Sequence, residues 1–121
     1  MGADPDRARR QRVETGRAGE RQAAAFLAGR GFRVLGSGFL ARRGEIDLVC
    51  QRGHRLVLVE VKTRTSNACG TAAEAVGPRK RRALRSAAAE YRALSGWRGP
   101  IEFAVVAIQD GRPPELIEDP F

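Results

Sequence analysis

The chain has 121 residues, and its 22 lysines and arginines outnumber its 14 aspartates and glutamates to give a formal net charge of +8. That length is typical of one domain with one hydrophobic core. No apolar run approaches the roughly 18 residues of a membrane-spanning helix, and the first residues lack the apolar segment of a secretory signal. Cys50 and Cys69 have neither redox nor metal-binding spacing. We therefore expect a cytoplasmic protein with reduced thiols and no membrane partner.

The excess of positive charge lies mainly in one segment. Residues 77–98 contain seven lysines and arginines and a single acid, Glu90. Such a segment is typical of a protein that binds a polyanion, and DNA is the expected partner, although a solvated helix face in an arginine-rich chain is the alternative. The residues that we expect to contact nucleic acid are Arg79, Lys80, Arg81, Arg82 and Arg85, together with Arg43 and Arg64.

The first third of the chain predicts a tail, a helix and an irregular strand. Residues 1–15 mix charges of both signs without an apolar period, which predicts a disordered basic tail. Residues 16–121 are then the single domain. Alanines and large apolar residues at helical spacing predict a helix over residues 17–29. A strand follows over residues 32–40, interrupted by two glycines.

The rest of the chain predicts a mixed α/β fold. In order, the expected elements are strands over 45–51 and 55–63 joined as an antiparallel hairpin, a loop over 64–77, a helix from Pro78 to near Gly96, a strand over 101–108 and a short edge strand at Leu116 and Ile117. The main order is therefore α-β-β-β-α-β. This order predicts a mixed central sheet flanked by helices.

Two carboxylates and a lysine in the hairpin are the main functional signal. Because side chains alternate along a strand, Glu60 and Lys62 share a face, and the hairpin can bring Asp47 beside them. Paired carboxylates suit a hard cation such as Mg²⁺, and the lysine can orient water or neutralise charge on a phosphate. The alternative is an exposed Glu60–Lys62 ion pair with Asp47 as an ordinary hairpin acid. Their apolar surroundings favour the metal site, since uncompensated buried acids are costly.

Two further acids extend this prediction. Glu20 shares a face of the first helix with Ala24 and Leu27, and that face is expected to look toward the sheet. The alternative is a glutamate near a helix N-terminus that is favourable to the helix dipole. Glu45 lies two residues before Asp47 and so on the same face, but it fits a strand-edge acid equally well.

Four segments of the chain resemble a known family. They read GRAGERQAAAFLAGRGFRVL, RRGEIDLVCQRGHRLVLVEVKTR, AVGPRKRRALRSAAAEYR and EFAVVAI. Together they resemble the small bacterial YraN family, whose uncharacterised members are placed in the PD-(D/E)XK nuclease superfamily and are similar to archaeal Holliday-junction resolvases. The resemblance covers about residues 16–109, and the paired GEID and VEVKTR segments make it specific.

The resemblance implies a fold, a site and a reaction. The fold is a restriction-endonuclease-like core. Asp47 and Glu60 would be metal ligands with the Val61 carbonyl as a third, Lys62 the catalytic lysine, and Glu20 the helix acid beside the site. Those four side chains form the implied catalytic set, with Mg²⁺ or Mn²⁺ as cofactor. The implied reaction is metal-assisted hydrolysis of a phosphodiester bond.

The sequence therefore predicts a metal-dependent DNA endonuclease, with specificity for branched or recombination structures as one form of it. A non-catalytic nucleic-acid-binding protein with the same fold, acting in repair, recombination or uptake, is the alternative. A third hypothesis is a protein–protein interaction module whose positive charge has no role in binding. We also expect a homodimer, because enzymes that engage two strands need two sites.

Overall fold

The protein is described by a computed structural model over residues 5–64, 77–118 and 120, with only the backbone described for residues 5–16 and for Arg64. The elements in chain order are α1 (Pro5–Ala28), β1 (Arg33–Leu40), β2 (Glu45–Arg52), β3 (Arg55–Arg64), α2 (Pro78–Ser95), β4 (Ile101–Gln109) and β5 (Glu115–Glu118). The predicted α/β class and order of elements are confirmed, with β5 as the short final strand.

The strands form one five-stranded sheet in the order β1-β2-β3-β4-β5. Neighbouring strands are antiparallel except for β3 and β4, which run parallel and are connected through α2. Arg52 pairs with Arg55 across the predicted hairpin, and Gly53 takes a φ of +63° in its turn. The parallel pair therefore lies in the middle of an otherwise antiparallel sheet, and β3 is its central strand.

The two faces of the sheet carry separate hydrophobic clusters. Ala23 and Leu27 of α1 pack on one face with Leu48, Cys50, Val57, Val59, Ala104, Val106 and Ile108. Ala87 and Ala88 of α2 pack on the other face with Ile46, Val49, Leu56 and Leu58. Because alternate residues of β3 enter opposite clusters, this strand is buried on both faces, as is usual for a strand in a parallel pair.

The ends of the helices differ from the sequence prediction. Helix α1 begins at Pro5 rather than near residue 17, so the predicted tail overlaps its first turns. Proline suits a first turn, and the arginine, glutamine and glutamate that follow are good helix formers despite their lack of apolar period. In α2, Leu94 continues the apolar spacing of Leu84, Ala87 and Tyr91, which predicts that it is buried, but it is 78% exposed because residues 92–95 of the last turn are all exposed.

Two regions complete the comparison with the prediction. Strand β3 continues through Arg64, where the sequence predicted the start of a loop, and residues 65–76 of that loop lie outside the described residues. Across the parts of the chain that are described, neither helix has the length and apolarity needed to span a membrane.

Replacement of Leu58 by alanine should lower the free energy of unfolding by about 2–5 kcal/mol, because it leaves a cavity between β3 and α2. Leu58 is only 2% exposed. The matched control is Leu94→Ala, whose exposed side chain should change stability by no more than about 0.5 kcal/mol. Urea denaturation of both variants measures the difference. Equal losses would contradict the described packing of α2 on the sheet.

Candidate metal centre

The sheet splits between β2 and β3. Their pairing ends at Leu48 and Val59, whereas β2 stays paired with β1 as far as Glu45, and β3 stays paired with β4 as far as Arg64. Beyond Leu48 and Val59, the two strands therefore diverge. A sheet that opens in this way leaves backbone groups that need other partners, and it offers space for side chains between the strands.

Asp47 lies at the start of this split, where β2 is irregular. Ile46 and Leu48 are two residues apart but pack on opposite faces of the sheet, so the usual alternation is broken at Asp47. On the neighbouring strand, Gly38 takes a φ of +66°, which favours glycine. The Asp47 carboxylate accepts a hydrogen bond of 2.8 Å from the Val61 backbone amide. The irregularity thus turns Asp47 toward β3.

Glu60 is the one charged residue buried among the described side chains, at 6% exposure. Its Oε1 lies 3.3 Å from Lys62 Nζ and 3.2 Å from Lys80 Nζ. Its Oε2 is buried and has no hydrogen-bond partner among the described residues. A buried carboxylate oxygen without a partner is costly. This oxygen therefore has the character of a ligand position for a cation.

The electrostatics of Asp47 also indicate an excess of negative charge. The pKa of Asp47 is raised from 3.8 to about 7, chiefly by burial and then by the nearby charges of Glu60 and Glu20 and a side-chain hydrogen bond with Glu60. The hydrogen bond from the Val61 amide opposes this rise. The pKa of Glu20 is also raised, first by burial and then by the charge of Glu45, while Arg17 lowers it. A bound cation would relieve the repulsion among these carboxylates.

Glu20, Glu45 and Asp47 form a second cluster of carboxylates. One carboxylate oxygen of each lies within 4.8 Å of the other two. Asp47 also lies near Glu60 and so belongs to both clusters. Helix α1 comes close to β3 at Gly19, where an added Cβ would lie 2.6 Å from the Thr63 hydroxyl oxygen, and this close packing brings Glu20 to the site. Carboxylate oxygens are the ligands that Mg²⁺ and Mn²⁺ prefer. The donor set therefore fits the expected metal.

The structure brings the predicted site residues together. Asp47 contacts the Val61 amide, and Lys62 pairs with Glu60, which lies near Asp47. Glu20 stands beside Asp47 on the side of α1. Next to Glu20 and Glu45, a groove of about 800 Å³ runs between α1 and β1. The residues Arg17, Arg21, Ser37 and Leu40 also line this groove.

The predicted basic residues fall into different environments. Arg79, Arg82 and Arg85 are exposed on α2, at successive intervals of three residues, and Arg81 is partly buried. Arg43 is exposed on the β1–β2 loop, which is attached to α2 by a hydrogen bond of 3.0 Å from the Arg42 amide to Glu90. The side chain of Arg64 lies outside the described residues. The loop and the helix thus place basic residues near one another.

Lys80 has a role that the sequence did not predict. Its Nζ contacts Glu60 at the site, and its expected contact with nucleic acid stays a prediction. Lys80 stands in a run of four basic residues from Arg79 to Arg82, and their spacing alone does not distinguish the inward-facing member. The start of α2 at Pro78 was the available signal, because it fixes Lys80 in the first helical turn.

Comparison with known proteins identifies the family. The model of the uncharacterised protein family UPF0102 matches residues 19–108. A UPF0102 protein of Anaeromyxobacter dehalogenans is 50% identical over 106 residues, which cover 84% of this chain and 78% of the relative. A UPF0102 protein of Moorella thermoacetica is 44% identical over 98 residues, covering 80% of this chain and 82% of the relative.

The fold and site define a small α/β protein with an acidic and lysine-containing cluster where its sheet divides. The chain belongs to the uncharacterised protein family UPF0102. The predicted resemblance to the YraN proteins is confirmed at the level of this family.

Asp47→Asn should change the pH dependence of stability in the metal-free protein. Because the pKa of Asp47 is raised from 3.8 to about 7, the folded state binds more protons than the unfolded state between these values. The contribution of Asp47 to the free energy of unfolding therefore falls as pH rises from about 4 to about 7. Urea denaturation with chelator should find wild type losing stability relative to Asp47→Asn over this range. A constant difference between the two proteins would contradict the raised pKa.

Proposed function

We propose that this protein is a metal-dependent endonuclease that hydrolyses phosphodiester bonds of DNA. The observation that carries the proposal is the buried Glu60 carboxylate beside Asp47 and Lys62, and one oxygen of this carboxylate has no partner in the described part of the chain. The resemblance of the GEID and VEVKTR segments to PD-(D/E)XK nucleases, and to archaeal Holliday-junction resolvases, supports the same reaction. Specificity for branched DNA and a homodimeric assembly stay predictions within this proposal.

Asp47 and Glu60, with the Val61 carbonyl, would hold Mg²⁺ or Mn²⁺. The bound cation would supply Lewis acidity to the phosphate group and stabilise the charge that develops on it. The hydrogen bond from the Val61 amide fixes the direction of the Asp47 carboxylate. It therefore orients a ligand before any cation arrives, and such preorganisation is the main contribution that a protein makes to a site of this kind.

Lys62 and Glu20 supply the remaining chemistry. The Lys62 ammonium lies 3.3 Å from Glu60 and extends from the same face of β3. From this position it would hold the attacking water or neutralise charge on the scissile phosphate. Glu20, with its raised pKa, would accept or donate a proton to water near Asp47 on the side of α1.

DNA would bind across α2 and the β1–β2 loop. Arg79, Arg82 and Arg85 present an exposed basic stripe on α2, and Arg43 extends it from the loop that is attached to this helix. Contacts of arginine with phosphate position DNA without reading its sequence. The first turn of α2 also carries Lys80, so the basic surface begins at the candidate metal centre.

A non-catalytic nucleic-acid-binding protein is the second candidate. It is favoured by the two lysines that already neutralise Glu60 Oε1, because they provide a structural reason for this buried acid. In that case the same basic surface would act in repair, recombination or uptake through a partner. Binding to DNA would then be independent of metal and of Asp47.

Cleavage by the purified protein should require both metal and the cluster. Wild type with Mg²⁺ or Mn²⁺ should cleave labelled branched, single-stranded or duplex DNA. Asp47→Asn and Lys62→Gln should each lower the cleavage rate by about 100-fold or more, as expected for removal of groups that stabilise the transition state. Single-turnover rates on each substrate measure the effect.

The matched control for the cleavage experiment is Glu102→Gln. Glu102 lies in β4 opposite Val57, away from the metal centre, and pairs with Arg55. It should retain the wild-type cleavage rate. DNA binding without cleavage on every substrate would count against the endonuclease and favour the non-catalytic binder.

The affinity for DNA should depend on salt and on the stripe of α2. Because the contacts are with phosphates, the logarithm of the binding constant should fall linearly with the logarithm of salt concentration. Joint replacement of Arg79 and Arg82 by glutamine should reduce the slope by about 2, one unit for each lost phosphate contact. Arg112→Gln, at the exposed turn before β5, is the control. Fluorescence anisotropy over a salt series measures the slopes, and an unchanged slope would place the DNA elsewhere.

A further inference from the structure

Lys80 occupies an unusual position at the candidate metal centre. Its Nζ lies 3.2 Å from Glu60 Oε1, the same oxygen that Lys62 approaches at 3.3 Å. Two ammonium groups thus converge on one oxygen of a buried carboxylate, while Oε2 has no partner among the described residues. Lys62 comes from the same strand as Glu60, whereas Lys80 comes from α2. One lysine is therefore part of the strand, and the other is brought to it by a separate element.

The charged side chains at the start of α2 are unfavourable to its helix dipole. Its N-cap residue is Gly77, which offers no side-chain cap, and its first turn contains no acid. Instead, Arg79, Lys80 and Arg81 place positive charges at the positive end of the dipole, which is locally unfavourable. The Glu60 carboxylate offsets part of this cost through Lys80. The first turn of α2 therefore attracts anions, and Glu60 neutralises only part of its positive charge.

We propose that the Lys80 ammonium group competes with the metal for Glu60. When substrate and metal bind, this ammonium group moves from Glu60 to a DNA phosphate. This inference rests on the proposed function, since it assigns a role to Lys80 within the same site. Without metal, Lys80 reduces the cost of the buried Glu60 carboxylate. With metal bound to Glu60, the repulsion between two neighbouring cations favours the movement of Lys80 toward phosphate.

The side chain of Lys80 has the freedom that this transfer requires. It is 37% exposed, whereas Glu60 beside it is 7% exposed at the side chain, so Lys80 reaches the site from the solvent side. Lysine combines a compact charge with a flexible stem, which suits exchange between two anions. Its neighbours Arg79 and Arg82 are exposed on the surface that we propose for DNA. The phosphate and Glu60 would thus compete for the same ammonium group.

The test is the affinity for Mn²⁺ in the absence of DNA, measured from the EPR signal of the free ion. Lys80→Gln should bind Mn²⁺ about tenfold tighter than wild type, because one competing positive charge beside the ligand is removed. Lys80→Arg, which keeps the charge, should bind much as wild type does. Arg79→Gln removes the same charge from an exposed neighbour and should change the affinity by no more than about twofold, since exposed charges are screened.

A second measurement separates this role from a purely structural one. Metal-free Lys80→Gln should have a lower Tm than wild type, because Glu60 has lost a partner. The same excess of Mn²⁺ should then raise its Tm more than it raises that of wild type, since the stabilisation by a ligand that binds only the folded state grows with the logarithm of its affinity. A structural role alone would lower Tm equally with and without Mn²⁺.

The outcomes decide between the two proposals. Unchanged or weaker Mn²⁺ affinity in Lys80→Gln, relative to wild type and Arg79→Gln, would overturn the role of Lys80. This result is independent of cleavage, so a wild-type protein that binds Mn²⁺ but cleaves no DNA would contradict the endonuclease and leave the competition at Glu60 measurable. In an active protein, Lys80→Gln should also lower the single-turnover cleavage rate at saturating DNA by about tenfold or more.

Discussion

The hydrogen bond from the Val61 amide to the Asp47 carboxylate is the interaction on which the candidate centre depends. Where β2 leaves β3, the backbone amide of Val61 loses the strand partner that an intact ladder would provide. A buried amide without an acceptor is costly, and Asp47 supplies the acceptor from its side chain. One interaction therefore compensates for the split in the sheet and fixes a carboxylate at its edge.

The position of β3 explains how a charged cluster is tolerated in so small a domain. This strand is paired with β4 from Leu56 through Arg64, and its residues Leu56–Val59 are buried on both faces, so the backbone of Glu60, opposite Val105, is held in place. Most of the surrounding chain is apolar, and the charge of Glu60 is therefore compensated locally, by Lys62 and Lys80. Such a cluster lowers stability unless all of its members are paired. The Glu60 oxygen that has no partner among the described residues is then consistent with the cation ligand that we propose.

Much of the fold was predictable because its signals are local. Apolar periodicity and turn residues located the hairpin, α2 and β4, and alternation placed Glu60 and Lys62 on one face, as their ion pair confirms. Local signals did not predict where α1 starts, because a segment with helix propensity but no apolar stripe has a sequence pattern similar to that of a disordered tail. They also did not predict the exposure of Leu94, because the apolar stripe of α2 continues beyond the part of the helix that packs on the sheet.

The geometry of the site was only partly predictable, since it depends on irregularities. Strict alternation predicts one face for Ile46 and Leu48, whereas the break at Asp47 places them on opposite faces. That break occurs where β1, β2 and β3 come together, so it cannot be predicted from the sequence of any one of these strands. The same holds for Lys80, whose contact with Glu60 depends on the packing of α2 on the sheet.

The left-handed conformation of Gly38 in β1 also affects pairing between two molecules of the protein. Strand β1 is at the edge of the sheet, and with Leu35 and Leu40 exposed it could serve as a template for a strand of a second chain. Its register shifts between Val34 and Gly36, and Gly38 takes a left-handed conformation, so the edge is neither flat nor regular over its eight residues. Irregular edges resist continuous pairing between chains. The left-handed conformation of Gly38 therefore also protects the protein from aggregation through this edge.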